Sequence, residues 1–233
     1  MKRIIRHIPN TITSANLFSG AVGLTFAFNG QLTAAFICMV CSAVFDFLDG
    51  FSARLLKAYS PLGKELDSLA DLVSFGMVPA TMLYIVYAPA APRPWFAFVP
   101  FLVAVFSAVR LAKFNLDSRQ ATGFIGLATP ANALLIAGMV LYSNQSESWH
   151  YLMTTPWMIP CVTLVLSMLL ISELPMFSLK IKSFTYKENR QRIFFAVCVI
   201  ALCVAALCLH WHWSLLLLLC MCTYLVVNAV VRV

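Results

Sequence analysis

Charge is what this chain has least of. Only 11% of its 233 residues are Asp, Glu, Lys or Arg, where soluble domains carry roughly a quarter, and 61% are hydrophobic. Mean hydropathy is +0.87. Composition of this kind excludes an ordinary soluble enzyme and defines a polytopic membrane protein. Polar stretches long enough to build a soluble domain are missing too. The charged start "MKRIIRHIPN" resembles a signal peptide, but the apolar run behind it is too long and "AFNGQL" has no small-x-small cleavage site. The run is therefore expected to be the first membrane helix.

A hydrocarbon core of about 30 Å needs about 20 apolar residues per crossing. Eight such runs are expected, at roughly 11–29, 31–53, 66–88, 94–114, 127–143, 156–176, 192–210 and 212–231. The fold class that follows is an all-α helical bundle in the membrane. All eight cysteines fall inside these runs and read as small buried hydrophobes rather than as disulfides or metal ligands. Cys220 and Cys222 look like a ligand pair, yet two residues apart on a helix they point about 200° away from each other. His210 and His212 flank Trp211 between the last two runs, where amphipathic residues of a membrane interface are expected.

Lys and Arg collect in cytoplasmic loops, so they orient the bundle. With both termini cytoplasmic, 15 of the 16 basic residues lie on the inner face and only Arg93 lies outside. The formal net charge of +7 then describes a basic cytoplasmic rim that attracts anionic headgroups. No nucleic-acid partner is needed to explain it, and topology alone accounts for most of the charge. A cytoplasmic membrane location with the chemistry on the cytoplasmic side is the expectation.

Acids are rarer still, nine in all, and five of them (Asp46, Asp49, Glu65, Asp67 and Asp71) fall between residues 45 and 76. On a helix turning about 100° per residue, Asp49, Gly50, Ala53 and Arg54 all lie within about 80° of Asp46. Gly63, Asp67 and Asp71, four apart, form a second stripe, while Glu65 points about 160° away from Asp67 into solvent. A short turn between the two helices makes them antiparallel neighbours whose acidic stripes can face each other. Ionised carboxylates near hydrocarbon cost several kcal/mol unless something positive sits among them. Arg54 supplies one charge, but clustered Asp oxygens suit hard divalent cations, and four Asp can hold two ions for displacement at phosphorus. Small residues beside them then allow a phosphate to approach the backbone. Ordinary helix packing explains Ala53 or Gly63 equally well. An ion pathway would spread its acids through the membrane depth, and a transporter would show a repeated half, which this chain does not. A non-catalytic scaffold has no need of four spaced Asp.

The full spacing, Asp46-x2-Asp49-Gly50-x2-Ala53-Arg54-x8-Gly63-x3-Asp67-x3-Asp71, resembles the signature of the CDP-alcohol phosphotransferase family at all eight fixed positions. A chance match at a given start is on the order of 1 in 10^10. The stretches "IPNTITSANLFSGAVGL", "DLVSFGMVPA", "AVRLAKFN", "FIGLATPANALLI" and "ISELPMFSLKIKSF" look like the phosphatidylserine synthase branch. They cover most of the chain to about residue 184, which places a catalytic membrane core at 1–184 and two further membrane helices at 185–233.

The resemblance implies transfer of a phosphatidyl group from CDP-diacylglycerol to an alcohol, L-serine in this branch, with release of CMP. Sibling enzymes use glycerol-3-phosphate, inositol or another amino alcohol. It also implies two divalent cations, Mg²⁺ or Mn²⁺, on Asp46, Asp49, Asp67 and Asp71, with Asp71 as general base. Gly50, Ala53, Arg54, Ser60 and Gly63 would line the donor pocket. Asn10 and Thr13 would face the nucleotide, though capping of the first helix explains them equally well. A serine carboxylate needs a cation, and Arg110, Lys113 and Lys180 are the candidates, with Asn115 and Ser74 as possible hydrogen-bonding partners. Membrane lipids are the surroundings, and a homodimer is what the resemblance suggests.

Overall fold

The computed structural model describes residues 7–117, 124–177 and 186–230. Its elements are helices, apart from one antiparallel pair of two-residue strands. Helix α1 spans Ile8–Phe28 and α2 Leu32–Leu55, joined by a turn in which Gly30 takes φ +73°. A third long rod contains α3 (Pro61–Asp71), a π-helical turn (Leu72–Met77), α4 (Val78–Tyr87) and a last 3-10 turn, 30 residues in all. A 3-10 stretch (Pro94–Phe101) carrying Pro94 and Pro100 leads into α5 (Leu102–Leu116). Strand β1 (Phe124–Ile125) precedes α6 (Thr129–Ser143). Helices α7 (Glu147–Met153) and α8 (Met158–Ile171) meet at a 73° bend at Thr154–Trp157, where Pro156 cannot continue a helix. Strand β2 (Pro175–Met176), α9 (Tyr186–Cys208) and α10 (Trp213–Val230) complete the chain.

Six of these rods are long and apolar enough to cross a membrane, and seven if the bent pair α7–α8 is one span. This is a multi-pass membrane protein. The fifth expected run, α6, is an apolar helix of 15 residues, about 22 Å long at about 1.5 Å per residue. The third rod starts at Pro61, earlier than its hydropathy suggests. Ser60 caps it by accepting from the Gly63 N–H at 2.9 Å, and Pro61 supplies a pre-set first turn.

The interior is more polar than its surroundings. Asn16, Ser42, Ser74, Thr81, Ser107, Asn132, Thr163 and Ser167 are wholly buried, while Phe18, Phe47, Leu55 and Leu207 lie exposed. Lipid is as apolar as leucine, so small and polar residues gather at helix contacts. Helix α1 is the hub. Its buried residues Pro9, Thr13, Asn16, Gly20, Gly23 and Ala27 form one stripe at three- and four-residue spacing. It packs along α2, along α3 and along the π-helical turn. A Cβ at Gly23 would lie 3.0 Å from that of Cys38, and one at Gly20 would lie 2.2 Å from the Ser74 hydroxyl. The acidic stripes of α2 and α3 face each other as expected, but across a gap and not in close backbone contact. Their backbones approach each other far less than either approaches α1, because α1 is wedged along both and leaves a cleft between them.

Candidate active site

The acids converge in that cleft. Carboxylate oxygens of Asp46, Asp49 and Asp67 lie within 4.8 Å of one another, the only such group among the described residues. Asp71, one turn further along, is not part of the group, but it stays within electrostatic reach of Asp46, Asp67 and Asp49. The Asp67 Oδ1 atom is buried without a hydrogen-bond donor. A buried, undonated carboxylate oxygen beside two more carboxylates is the chemistry of a hard-cation site. The donor set fits a divalent metal.

Both sides of this group are braced. The Thr13 hydroxyl lies 2.6 Å from Asp49 Oδ2 and donates to it. Neither Thr13 nor Asn10 caps α1, whose N-cap is His7, so the capping explanation does not hold. On the other side, Asn16 Nδ2 donates to Asp71 Oδ1 at 3.4 Å, and Asn16 Oδ1 accepts from the Ser74 hydroxyl at 2.8 Å. The Asp71 carboxylate, an acceptor, fixes which end of the amide faces it, and the Ser74 hydroxyl donates to the other end. The π-helical turn after Asp71 and the missing side chain at Gly20 together let Ser74 reach α1. Ser74 is therefore spent on Asn16 and wholly buried, which removes it as an acceptor ligand.

A cavity of about 200 Å³ opens beside the acids. It brings together Asn10, Thr13, Gly50, Ala53, Ser60 and Gly63 with Asp49 and Asp67. The two glycines differ in what they permit. A Cβ at Gly63 would lie 2.8 Å from Asn10 Oδ1, so this glycine lets α3 close on α1. Around a Cβ at Gly50 the nearest contact is Arg54 Nη2 at 3.8 Å, so that position faces open space. Arg54 itself stays exposed at the rim, donating from Nε to the Gly50 carbonyl at 2.8 Å. Lys64 and Tyr59 also line the cavity.

A second cavity, about 400 Å³, lies at the same end of the bundle between α5 and the end of α8. Arg110, Lys113 and Asp117 form one side, and Ser172 and Glu173 the other. Arg110 is buried, donates to the Thr129 hydroxyl at 2.9 Å and stands within electrostatic reach of Asp71. It thereby connects this cavity to the acids. Asn115 does not line it. Its amide donates to the Ser68 hydroxyl and its carbonyl accepts from Lys64 Nζ, so it straps α5 to α3. Lys180 lies outside the described residues. Glu65 is exposed, as its wheel position implies.

Sequence reasoning missed Asn16, Lys64, Ser172 and Glu173. The three- and four-residue stripe on α1 was a usable signal for Asn16, because a polar amide on a buried face needs a partner. Ser172 and Glu173 fall in the branch-like stretch "ISELPMFSLKIKSF", but no spacing or charge pattern there singles them out.

Three clustered aspartates on two helices, with Asp71 one turn away and a small-residue cavity beside them, could hold a metal ion next to an open space. The chain belongs to the CDP-alcohol phosphatidyltransferase family, whose sequence profile matches residues 6–171. Among curated relatives, a CDP-diacylglycerol–serine O-phosphatidyltransferase of Mycobacterium leprae is 33% identical over 214 residues, 88% of this chain and 69% of that one. The protein of the same name from Helicobacter pylori is 36% identical over 146 residues, 62% of this chain and 60% of its own. The one from Methanocaldococcus jannaschii is 29% identical over 204 residues, 87% and 85% respectively.

Proposed function

We propose that this protein transfers the phosphatidyl group of CDP-diacylglycerol to the hydroxyl of L-serine, giving phosphatidylserine and CMP. The observation that carries the reading is the carboxylate group of Asp46, Asp49 and Asp67, with its undonated Asp67 oxygen, opening onto a small-residue cavity. When bound on Asp46, Asp49, Asp67 and Asp71, two divalent cations, Mg²⁺ or Mn²⁺, would neutralise the diphosphate and the charge developing at phosphorus.

The chain's own residues do the rest. The small residues Gly50, Ala53 and Gly63 give the CDP moiety access to the backbone, with Asn10, Thr13 and Ser60 as hydrogen-bonding groups and Arg54 as a phosphate cation at the rim. The Thr13 bond holds Asp49 in place. Asp71 takes the proton of the acceptor hydroxyl as its oxygen bonds to phosphorus and the bond from phosphorus to the CMP oxygen breaks. The Asn16 donor occupies one Asp71 oxygen and so turns the other toward the reacting hydroxyl. In the charged cavity Arg110 and Lys113 suit a carboxylate, and Asp117 and Glu173 bring the opposite sign that an ammonium requires. A zwitterionic amino acid matches both, whereas inositol has no charge to place there.

The active side faces the cytoplasm in this reading, with eight crossings, both termini inside, and the helices of 185–233 packed as part of the same membrane domain as the 1–184 core. The deciding experiment is CMP release by the detergent-purified protein from CDP-diacylglycerol with serine, glycerol-3-phosphate, inositol and ethanolamine in turn. Serine-dependent release is expected. Release that follows another acceptor and ignores serine refutes the acceptor, and release with none refutes the enzyme.

A further inference from the structure

We propose that the C-terminal hairpin, α9 and α10, is a clamp that fixes the wall of the acceptor cavity, with Tyr224 and Asn228 as positioning residues. The role of the cavity as acceptor site rests on the function proposed above.

The wall in question is the segment that leaves α8, residues 172–177. Ser172 and Glu173 at its start line the cavity. On one edge the segment is tied to β1: Met176 pairs with Phe124 and Pro175 with Ile125, and the Gly126 N–H donates to the Leu174 carbonyl at 2.9 Å. Gly126 adopts φ +75°, and a Cβ there would lie 2.7 Å from the Leu170 carbonyl oxygen, so the β1 end is pressed against the end of α8. A two-residue strand pair is too short to hold a chain segment alone.

The other edge is held by α10. The Phe177 N–H donates to Asn228 Oδ1 at 2.8 Å, and the Phe177 carbonyl accepts from the Tyr224 hydroxyl at 3.3 Å. Both peptide groups of one residue are thus satisfied by two side chains four apart on a single helix. The Asn228 amide cannot turn over, because its Nδ2 donates to the Tyr224 carbonyl of its own helix at 2.7 Å. The ring of Phe177 sits 5.1 Å from that of Tyr224 and 5.8 Å from that of Phe195 on α9. Leu127, Met176 and Tyr224 form a small buried cluster apart from the main core. Tyr224 also stands within electrostatic reach of Arg110, on the opposite wall.

The test uses the full chain carrying Tyr224→Phe, which removes one hydroxyl, or Asn228→Ala. Tyr224→Phe is expected to raise the KM for serine about three- to tenfold, the loss of one hydrogen bond, and Asn228→Ala, which loses two, by at least as much. The KM for CDP-diacylglycerol and kcat should stay within about twofold, a split that general loosening of the fold would not give. Amide hydrogen exchange across 172–177 should quicken while that of α1, α2 and α3 does not change. Unaltered exchange there overturns the clamp, and so does faster exchange with an unmoved serine KM or an equal rise in both KM values. Absence of serine-dependent CMP release in the unaltered protein counts against the proposed acceptor instead, and exchange across 172–177 then decides the clamp.

Discussion

In the proposed mechanism Asn16 acts through Asp71 alone, which makes its replacement informative. Asn16→Ala deletes the donor to Asp71 Oδ1 and the acceptor of the Ser74 hydroxyl at a wholly buried site. Ser74 keeps an alternative, the Asn16 carbonyl at 3.3 Å, so its loss is partly made good. The Asp71 bond is charge-assisted but long at 3.4 Å, which puts it at the low end of such bonds, about 1.5 kcal/mol. If that contact holds Asp71 in its reactive orientation, kcat falls about tenfold, since about 1.4 kcal/mol is one decade. The KM for CDP-diacylglycerol should hardly move, because Asn16 does not line the donor cavity. Asn16→Asp puts a carboxylate where the donor was and should cost more than the alanine. The assay is CMP release at saturating serine, with thermal unfolding in detergent to confirm that each variant is folded. A folded Asn16→Ala protein with kcat within twofold of the unaltered one refutes the positioning argument.

Chelation with excess EDTA should abolish CMP release and added Mn²⁺ or Mg²⁺ should restore it; activity that survives the chelator ends the metal reading. Asp71→Asn should remove turnover and leave CDP-diacylglycerol binding largely intact, whereas Asp67→Asn should also weaken Mn²⁺ binding measured by electron paramagnetic resonance. Cysteines placed at exposed Tyr59 and Asn144 should react with an impermeant maleimide from opposite sides of the membrane, and labelling from one side overturns the eight-span topology. Lys113→Gln should raise the serine KM by about tenfold with little effect on the donor, as loss of one charge-assisted bond implies; equal effects on both substrates contradict its place in the acceptor cavity.

The acidic motif was readable because its chemistry and helical period coincide: carboxylates have few reasons to cluster near lipid, and a three- or four-residue spacing puts them on one face. Asp46, Asp49 and Asp67 accordingly meet in the structure. What held them apart from direct helix contact was not readable. The wedge of α1 depends on Gly20 and Gly23 meeting Ser74 and Cys38, contacts between residues far apart in sequence. The π-helical turn at Leu72–Met77 has no hydropathy signature, yet it aims Ser74 at Asn16. Asn115 looked like a ligand because it follows Arg110 and Lys113 at the rim. Its bonds to Ser68 and Lys64 show a neighbour's demand that no local pattern reveals. The span count blurred at α6 and at the α7–α8 bend for a related reason: hydropathy registers apolar length and is blind to where a rod stops or turns.

The third rod is 30 residues long, about 45 Å, against a hydrocarbon thickness of about 30 Å. Its surplus lies at the polar α3 end, and in the orientation proposed above that end would stand in the headgroup layer and carry Asp67 and Asp71 to the depth of the lipid phosphates. Hauling a two-chain lipid up into water would cost about 0.8 kcal/mol for every methylene exposed, tens of kcal/mol for the whole molecule. An enzyme that raises its own carboxylates to the phosphate plane leaves the acyl chains where they lie. Substrate and product can then arrive and depart by sideways diffusion within the leaflet, and the only partners that must cross from water are small and soluble.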